Sequence, residues 1–412
     1  MSLLRNSDYQ KNSDFVASLA SCMEPKFIVF LSVDLAGSTK IKQKQHHWDI
    51  GSNVETRSSE AKRYFGQGEW FFFLSEFYTK FKIVFVEELR RVYLQYSERY
   101  AERTEHPPAR NFQHFSDRLR RWKLIGDEIV FTMDVQTKDE VTLVSMGFRN
   151  ALIVFRKILF HETDIFESGG ARDNEYLQIR KKQYEHSSLD VKGTIWSAGF
   201  PISNREVVVD APNLPDSQDF LGEDPYLRNL FLVEKSRQVP IGEPSPYTQD
   251  FIGPSVDTGF RLSSIANPRK LIVSAEIAFI VAQSRGLNLN SLSAGCGLKR
   301  DFCLGFDGRK AFKGVAGGSA YPVFWIDSGT AEGLSVLEDD LLPRNTGIDL
   351  EKVEEYLATF FRRQYLFLRT PTILDPLEDF VATSLCRAIH THNQWWIKMR
   401  SEMIARYEPQ LS

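Results

Sequence analysis

Phe27–Val33 (FIVFLSV) is a nearly unbroken apolar run of β-branched and aromatic residues, which predicts a buried strand, and the run ends on Asp34. From Trp70 to Leu89 the pattern changes period. Trp70, Leu74, Phe77, Phe81, Val84 and Phe85 recur at helical spacing with charges between them, so a long amphipathic helix is expected. Glu102–Asn111, with Pro107 and Pro108, breaks the pattern before a second apolar run at Leu124–Phe131, where Gly126 beside Asp127 predicts a tight hairpin. A helix is expected over 139–160, a loop over 161–188 and a strand at Val191–Ser197. Residues 201–250 are rich in Pro and Asp and read as irregular. A helix from about Val256, a strand at Leu271–Ser274, a further helix and a last strand at Tyr321–Ile326 complete a layered domain. Beyond 330 the chain reads as helical. Asp349 precedes Leu350, Val353, Leu357 and Phe360 on one face, and Asp375-Pro376 with Glu378 forms a helix-start signal.

This pattern divides the chain into a lead-in (1–25), a domain of strands and helices (26–330) with a helical insertion at about 45–115, and a C-terminal helical region (331–412). The fold class expected is α+β. A length of 412 residues is ample for a large core, and no internal repeat stands out. With 51 basic and 54 acidic residues the net charge is −3, which argues against nucleic-acid wrapping or a polybasic membrane anchor and favours a small-molecule partner. Cys22, Cys296, Cys303 and Cys386 form neither a zinc pair nor a disulfide framework. No apolar run reaches the roughly 18–20 residues of a membrane helix, and the first 12 residues are polar, so a cytoplasmic location is expected.

The candidate chemistry lies at strand ends. Asp34 is followed by Leu35-Ala36-Gly37-Ser38-Thr39, a small-residue turn whose backbone N–H groups suit phosphate oxygens. Asp127 follows Gly126 in the second apolar run, and two carboxylates at strand tips can clamp two cations about 3.5–4 Å apart. A lone Asp is more often a turn or cap residue; the combination is more specific. His46 and His47 lack a spaced partner for zinc, and Gly314-Val315-Ala316-Gly317-Gly318 lacks the Gly-Lys-Ser/Thr of a Walker loop.

These two segments, with Asp250-Phe251-Ile252-Gly253-Pro254-Ser255-Val256-Asp257-Thr258-Gly259-Phe260-Arg261-Leu262 and Phe312-Lys313-Gly314 downstream, resemble the class III nucleotidyl cyclases over roughly residues 26–330. The resemblance implies a ferredoxin-like domain, antiparallel-rich with packed helices. It also implies a role for each matched position. Asp34 and Asp127 would hold two Mn²⁺ or Mg²⁺ ions per site with the Leu35 carbonyl, while Gly37, Ser38 and Thr39 would face phosphates. Lys123 and Asp250, with Phe251 beside them, would read the base. Asp257 stands where asparagine is usual and would orient the ribose or the transition state. Arg261 would stabilise the pentavalent phosphorus, and Lys313 would grip the terminal phosphates. A head-to-tail homodimer with two shared sites is implied, the metal aspartates from one subunit and the base and arginine residues from the other, its substrate a nucleoside triphosphate, with no nucleic acid or membrane partner.

Three departures stand out. The two metal aspartates are 93 positions apart, about twice the expected spacing, which points to an insertion. Asp replaces Asn at 257. A second phosphate-binding arginine expected shortly before Asp250 is missing from Pro246–Gln249, and Arg237 or Lys40 are the substitutes considered.

Lys123 as donor and Asp250 as acceptor fit adenine or cytosine directly and uracil after a lateral shift, so edge chemistry leaves the base open. The VDLAGST segment, the enlarged insertion and the C-terminal helices resemble the bacterial pyrimidine cyclases of antiphage signalling (Pycsar) systems. That resemblance implies conversion of UTP to 3′,5′-cyclic UMP, a messenger read by a separate effector. Cyclic CMP, cyclic AMP and a non-catalytic nucleotide-binding domain are the alternatives.

Overall fold

In this computed structural model the described residues are 26–39, 69–100, 112–159, 189–201, 203–210, 225–237, 239, 245–284, 287–294, 302–329, 337–338, 348–364, 368 and 371. The expected lead-in, the loop at 161–188, the helix start at Asp375 and much of the insertion (40–68 and 101–111) lie outside them.

The chain builds β1 (Lys26–Ala36), α1 (Glu69–Tyr100), the short α2 (Phe112–Ser116), the hairpin β2 (Leu119–Ile125) and β3 (Glu128–Val135), α3 (Lys138–Leu159) and β4 (Asp190–Phe200). The four strands lie in the order β2-β3-β1-β4, each neighbouring pair antiparallel. A βαββαβ unit in that order is the ferredoxin-like arrangement, so the expected α+β fold is present. Three further strands extend the sheet: β7 (Lys270–Val273), parallel to β4, then β9 (Tyr321–Asp327) and β8 (Leu304–Lys310).

Alternation along β1 assigns its two faces. Val29, Leu31, Val33 and Leu35 join the large core beneath α1 and α3, where Phe77, Phe81, Phe85, Phe148 and Phe155 interlock at ring separations of 5.2–6.4 Å. Ile28 and Phe30 point the other way and pack with Val130, Trp196, Ala198 and Phe200 in a second core, with Trp122, Phe251 and Phe260 against it. The helix expected at 70–89 runs on to Tyr100, because Val92, Tyr93 and Tyr96 continue its buried stripe.

Residues 201–250 are more regular than their composition suggests. They hold β5 (Arg205–Asp210), α4 (Pro225–Arg237) and β6 (Thr248–Ile252), and β5 and β6 pair only with each other. The strands are short, and their register comes from partners 38 to 47 residues away, which local composition does not display. The pattern also conceals β8 (LGFDGRK). A Cβ at its Gly305 would collide with the Trp325 indole, and Gly308 takes φ 79° beside a register shift between Phe306 and Arg309.

Three helices complete the described frame: α5 (Pro254–Ser263), α6 (Ala275–Gln283) and α7 (Leu289–Ala294). Outside it, α8 (Leu350–Arg363) starts where expected, with the Asp349 carboxylate accepting from Glu351 N at 3.0 Å. Phe361 packs against Phe279 of α6, and Phe360 against Tyr321 of β9.

The Tyr321 hydroxyl donates to partly buried Glu276 (2.9 Å) and accepts from Ala275 N (2.8 Å), and desolvation raises the Glu276 carboxyl above its ordinary value. A raised carboxyl holds its proton to higher pH in the native state than in the unfolded chain, so its contribution to stability is complete below the ordinary value of 4.5 and is lost as pH rises through the folded-state value. Glu276→Gln is therefore expected to gain in melting temperature over the parent as pH goes from 4.5 to 8. A pH-independent difference between the two melting curves would contradict this.

Candidate active site

Asp34 lies near the end of β1 on the second-core face. It is directly opposite Glu128 of β3 on one side and Lys192 of β4 on the other, forming a charged row across three strands. The next rows inward are Val130–Ser32–Thr194 and Thr132–Phe30–Trp196, so the charged end passes into aromatic packing within two residue pairs. Lys192 Nζ is 3.0 Å from Asp34 Oδ2, and the two side chains are 26% and 28% exposed, open enough to meet a ligand.

Asp127 comes to the same end through the β2–β3 hairpin. Gly126 turns it with φ 64°, in the left-handed region that favours glycine. Leu35 N donates to the Asp127 carbonyl at 3.3 Å, the Ser38 hydroxyl donates to the Asp127 carboxylate, and Tyr78 of α1 donates to the Gly126 carbonyl. Burial and the Asp127 charge both raise the Tyr78 hydroxyl, which keeps it a donor. Ser32 donates to Glu128, whose carboxyl is raised mainly by burial and further by Asp34 and Asp127, while Ser32 and Lys192 pull it down. Gly37, with φ 87°, turns the chain into Ser38 and exposed Thr39.

The second expected group meets on the same face. Lys123 of β2 reaches both carboxylate oxygens of Asp250 of β6, each at 2.7 Å, and its ammonium lies 4.5 Å from the Trp122 ring centroid. Phe251 N also donates to Asp250 (2.7 Å), and the Phe251 ring meets Trp122 at 5.2 Å and Phe30 at 5.4 Å.

Asp257 and Arg261 lie one turn apart on the exposed side of α5. Helix α5 begins with Pro254, and Asn204 caps it by accepting from Ser255 N at 3.1 Å. Lys313 is exposed in the turn Phe312–Val315, closed by Val315 N donating to Phe312 O at 3.2 Å, with Gly314 at φ 79°. Among the described residues, the side chains of Asp257, Arg261 and Lys313 make no hydrogen bond or ion pair.

The expected residues therefore fall into two associated groups, Asp34–Leu35–Ser38–Asp127, with Gly37 at its turn, and Lys123–Asp250–Phe251, and four solvent-facing side chains, Thr39, Asp257, Arg261 and Lys313. Sequence reading missed Lys192, Glu128, Ser32 and Tyr78. Lys192 was legible only as a charge within an expected strand, and its partner depends on the β1–β4 register. Of the two substitutes considered for the missing arginine, Arg237 is engaged by Glu206 at 2.6 Å and Lys40 lies outside the described residues.

Oxygen donors from Asp34 and Asp127 suit Mg²⁺ or Mn²⁺ better than softer metals. Among the described residues, no group of three or more His, Cys, Asp or Glu is placed so as to hold a metal ion. The upward push of both aspartates on Glu128 is the mark of negative charge gathered there, which a divalent cation would relieve.

No protein-family model matches the chain, and no curated protein matches it. Solved structures do. The adenylyl cyclase CyaB from P. aeruginosa is 10% identical, with 75% of this chain and 98% of that one covered at a TM-score of 0.33. The guanylyl cyclase Cya2 is 12% identical, covering 75% and 95% at 0.32. The guanylate cyclase domain of RhGC from Catenaria anguillulae, in complex with GTP, is 10% identical, covering 74% and 97% at 0.29. These similar structures are nucleotidyl cyclases. At such identities and scores the fold assignment rests on strand order and register. Among the described residues no helix is long and apolar enough to cross a membrane.

Proposed function

We propose that the chain is a nucleotidyl cyclase acting on a pyrimidine nucleoside triphosphate, with UTP favoured and 3′,5′-cyclic UMP and diphosphate as products. The observation that carries this reading is the junction of the Asp34 and Asp127 segments at adjacent strand ends, together with the Lys123–Asp250 pair formed between β2 and β6. Asp34 and Asp127, with the Leu35 carbonyl, would hold Mn²⁺ or Mg²⁺. When bound, such ions lower the pKa of the ribose 3′-hydroxyl and offset charge on the triphosphate.

The chain's own residues account for the other requirements. Asp250 accepts from uracil N3–H and Lys123 donates to O4, once the base parts the pair they now form. Trp122, Phe251 and Phe30 fill the volume beneath that pair, which favours a small base. Lys192 supplies the cation missing before Asp250. Its ammonium lies beside Asp34 and can turn to the phosphate oxygens when Asp34 takes up an ion. Arg261 stabilises charge at the α-phosphorus as the 3′-oxygen bonds to it and diphosphate leaves, and Lys313 follows the departing diphosphate. Asp257 orients the ribose. Asp257 and Arg261 are exposed, so a second copy of the chain, docked head to tail, would bring them to the partner's Asp34 end. A cyclic pyrimidine product suits a messenger read by a separate effector.

The test is incubation of purified protein with each of the four NTPs and Mn²⁺, with products identified by mass. UTP is expected to turn over fastest, and Phe251→Ala to narrow the preference over purines by about 1–3 kcal/mol in discrimination. Mainly cyclic AMP under equal competition would remove the pyrimidine assignment and leave the cyclase assignment standing. No cyclic product from any NTP would remove both.

A further inference from the structure

Helix α5 carries Asp257 and Arg261 outward while its inner side, Val256, Thr258, Gly259 and Leu262, is buried. Gly259 lies between the two functional positions in sequence and directly over the Trp196 indole. A Cβ built on Gly259 would fall far inside contact distance of Trp196 Cγ, Cδ2 and Cε2.

The indole has nowhere to go. Trp196 is fully buried on β4, stacked on Phe30 with ring centroids 5.4 Å apart and planes 7° apart, and Phe260 of α5 itself packs on it at 5.5 Å. Behind Phe30 stand Trp122 at 5.2 Å and Phe251 at 5.4 Å, the second of them adjacent to Asp250. A close-packed stack of this kind transmits a steric push and does not absorb it.

We infer that Gly259 and Trp196 are positioning residues: the bare glycine backbone resting on the indole sets the height of α5 above the sheet, and thereby the reach of Asp257 and Arg261 toward the reacting phosphate. This rests on the proposed cyclase role of Arg261. Val256, Leu262 and Phe260 also pack the helix onto the sheet, but at Gly259 the backbone itself meets the indole, so the separation there is fixed without an intervening side chain. Its N-terminus is fixed by Asn204 and Pro254, so a push at Gly259 tilts the turn that bears Arg261 about that fixed end. Misplacement by about 1 Å of a group acting at the transition state can cost on the order of a hundredfold in rate. Arg261 is two residues from the pushed glycine, whereas the base-reading pair is reached only through Phe30 and then Phe251 or Trp122, so kcat is expected to suffer more than KM.

The experiment is a double-mutant cycle of Gly259→Ala and Trp196→Leu, read by melting temperature and by kcat and KM for the preferred NTP. Gly259→Ala is expected to lower kcat at least about tenfold with KM within about threefold, and to lower the melting temperature. Adding Trp196→Leu makes room for the new methyl group. The double variant should then recover at least about fivefold in kcat over Gly259→Ala and melt higher than the two single effects predict together. Gly259→Ala with kcat within twofold of the parent overturns the inference, as does a double variant no better than Gly259→Ala in both readouts. If Gly259→Ala does not fold alone, recovery of folding and turnover in the double variant supports the inference, and recovery of neither overturns it. A parent protein that cyclises no NTP defeats the cyclase reading, while the coupling in melting temperature still decides whether the glycine and the indole hold α5.

Discussion

Asp34→Ala and Asp127→Ala are each expected to lower cyclic-nucleotide formation by about a thousandfold or more while leaving the protein folded. Each removes one of two carboxylates available to hold divalent ions, and the barrier reduction such ions supply amounts to several kcal/mol. The fold should tolerate the loss. Asp34 is partly exposed and its Lys192 partner can turn to solvent, while removing Asp127 sacrifices the Ser38 contact and relieves repulsion on Glu128. Melting temperatures near that of the parent, together with loss of turnover and loss of Mn²⁺ binding by calorimetry, form the expected set. Wild-type yield from either variant would remove both residues from the site. Chelation by EDTA should likewise stop the parent enzyme, and re-addition of Mn²⁺ should restore it.

An equal mixture of Asp34→Ala and Arg261→Ala chains, each inactive alone, is expected to regain about a quarter of the parental activity after subunit exchange. The argument is geometric. Asp34 lies at one end of the sheet face and Arg261 projects outward from α5, so a head-to-tail pair has two composite sites. Random exchange makes half of the dimers mixed. Each mixed dimer would hold one site with both residues intact and one lacking both. Demonstrated heterodimers with no activity would refute the shared site. Activity in Arg261→Ala alone would instead remove Arg261 from the chemistry.

Much of the frame was legible along the chain because its signals are local. The apolar run ending on Asp34, the glycine before Asp127, the helical stripe starting near Trp70 and the Asp349 cap all declare themselves within a few residues. The apolar stripe of α1 is harder to follow past Leu89, where Glu87, Glu88, Arg90 and Arg91 interrupt it, and burial of Val92, Tyr93 and Tyr96 against the core shows that it continues. In β5, β6 and β8, short strands and backbone glycines left too weak an alternation to read.

Residue types and order, with the resemblance they carry, nominated the candidate side chains: two aspartates at strand ends, a lysine and an aspartate for a base edge, and an arginine one helical turn after an aspartate. Tertiary structure decided who stands beside whom. The antiparallel register of β1 between β3 and β4 set Glu128 and Lys192 on either side of Asp34, and it stacked Phe30 on Trp196 beneath Gly259. Asp34 is 94 positions from Glu128 and 158 from Lys192, and Phe30 is 166 from Trp196. A strand's period of two says only which face a side chain takes, and the partner on that face is chosen by the register of another strand.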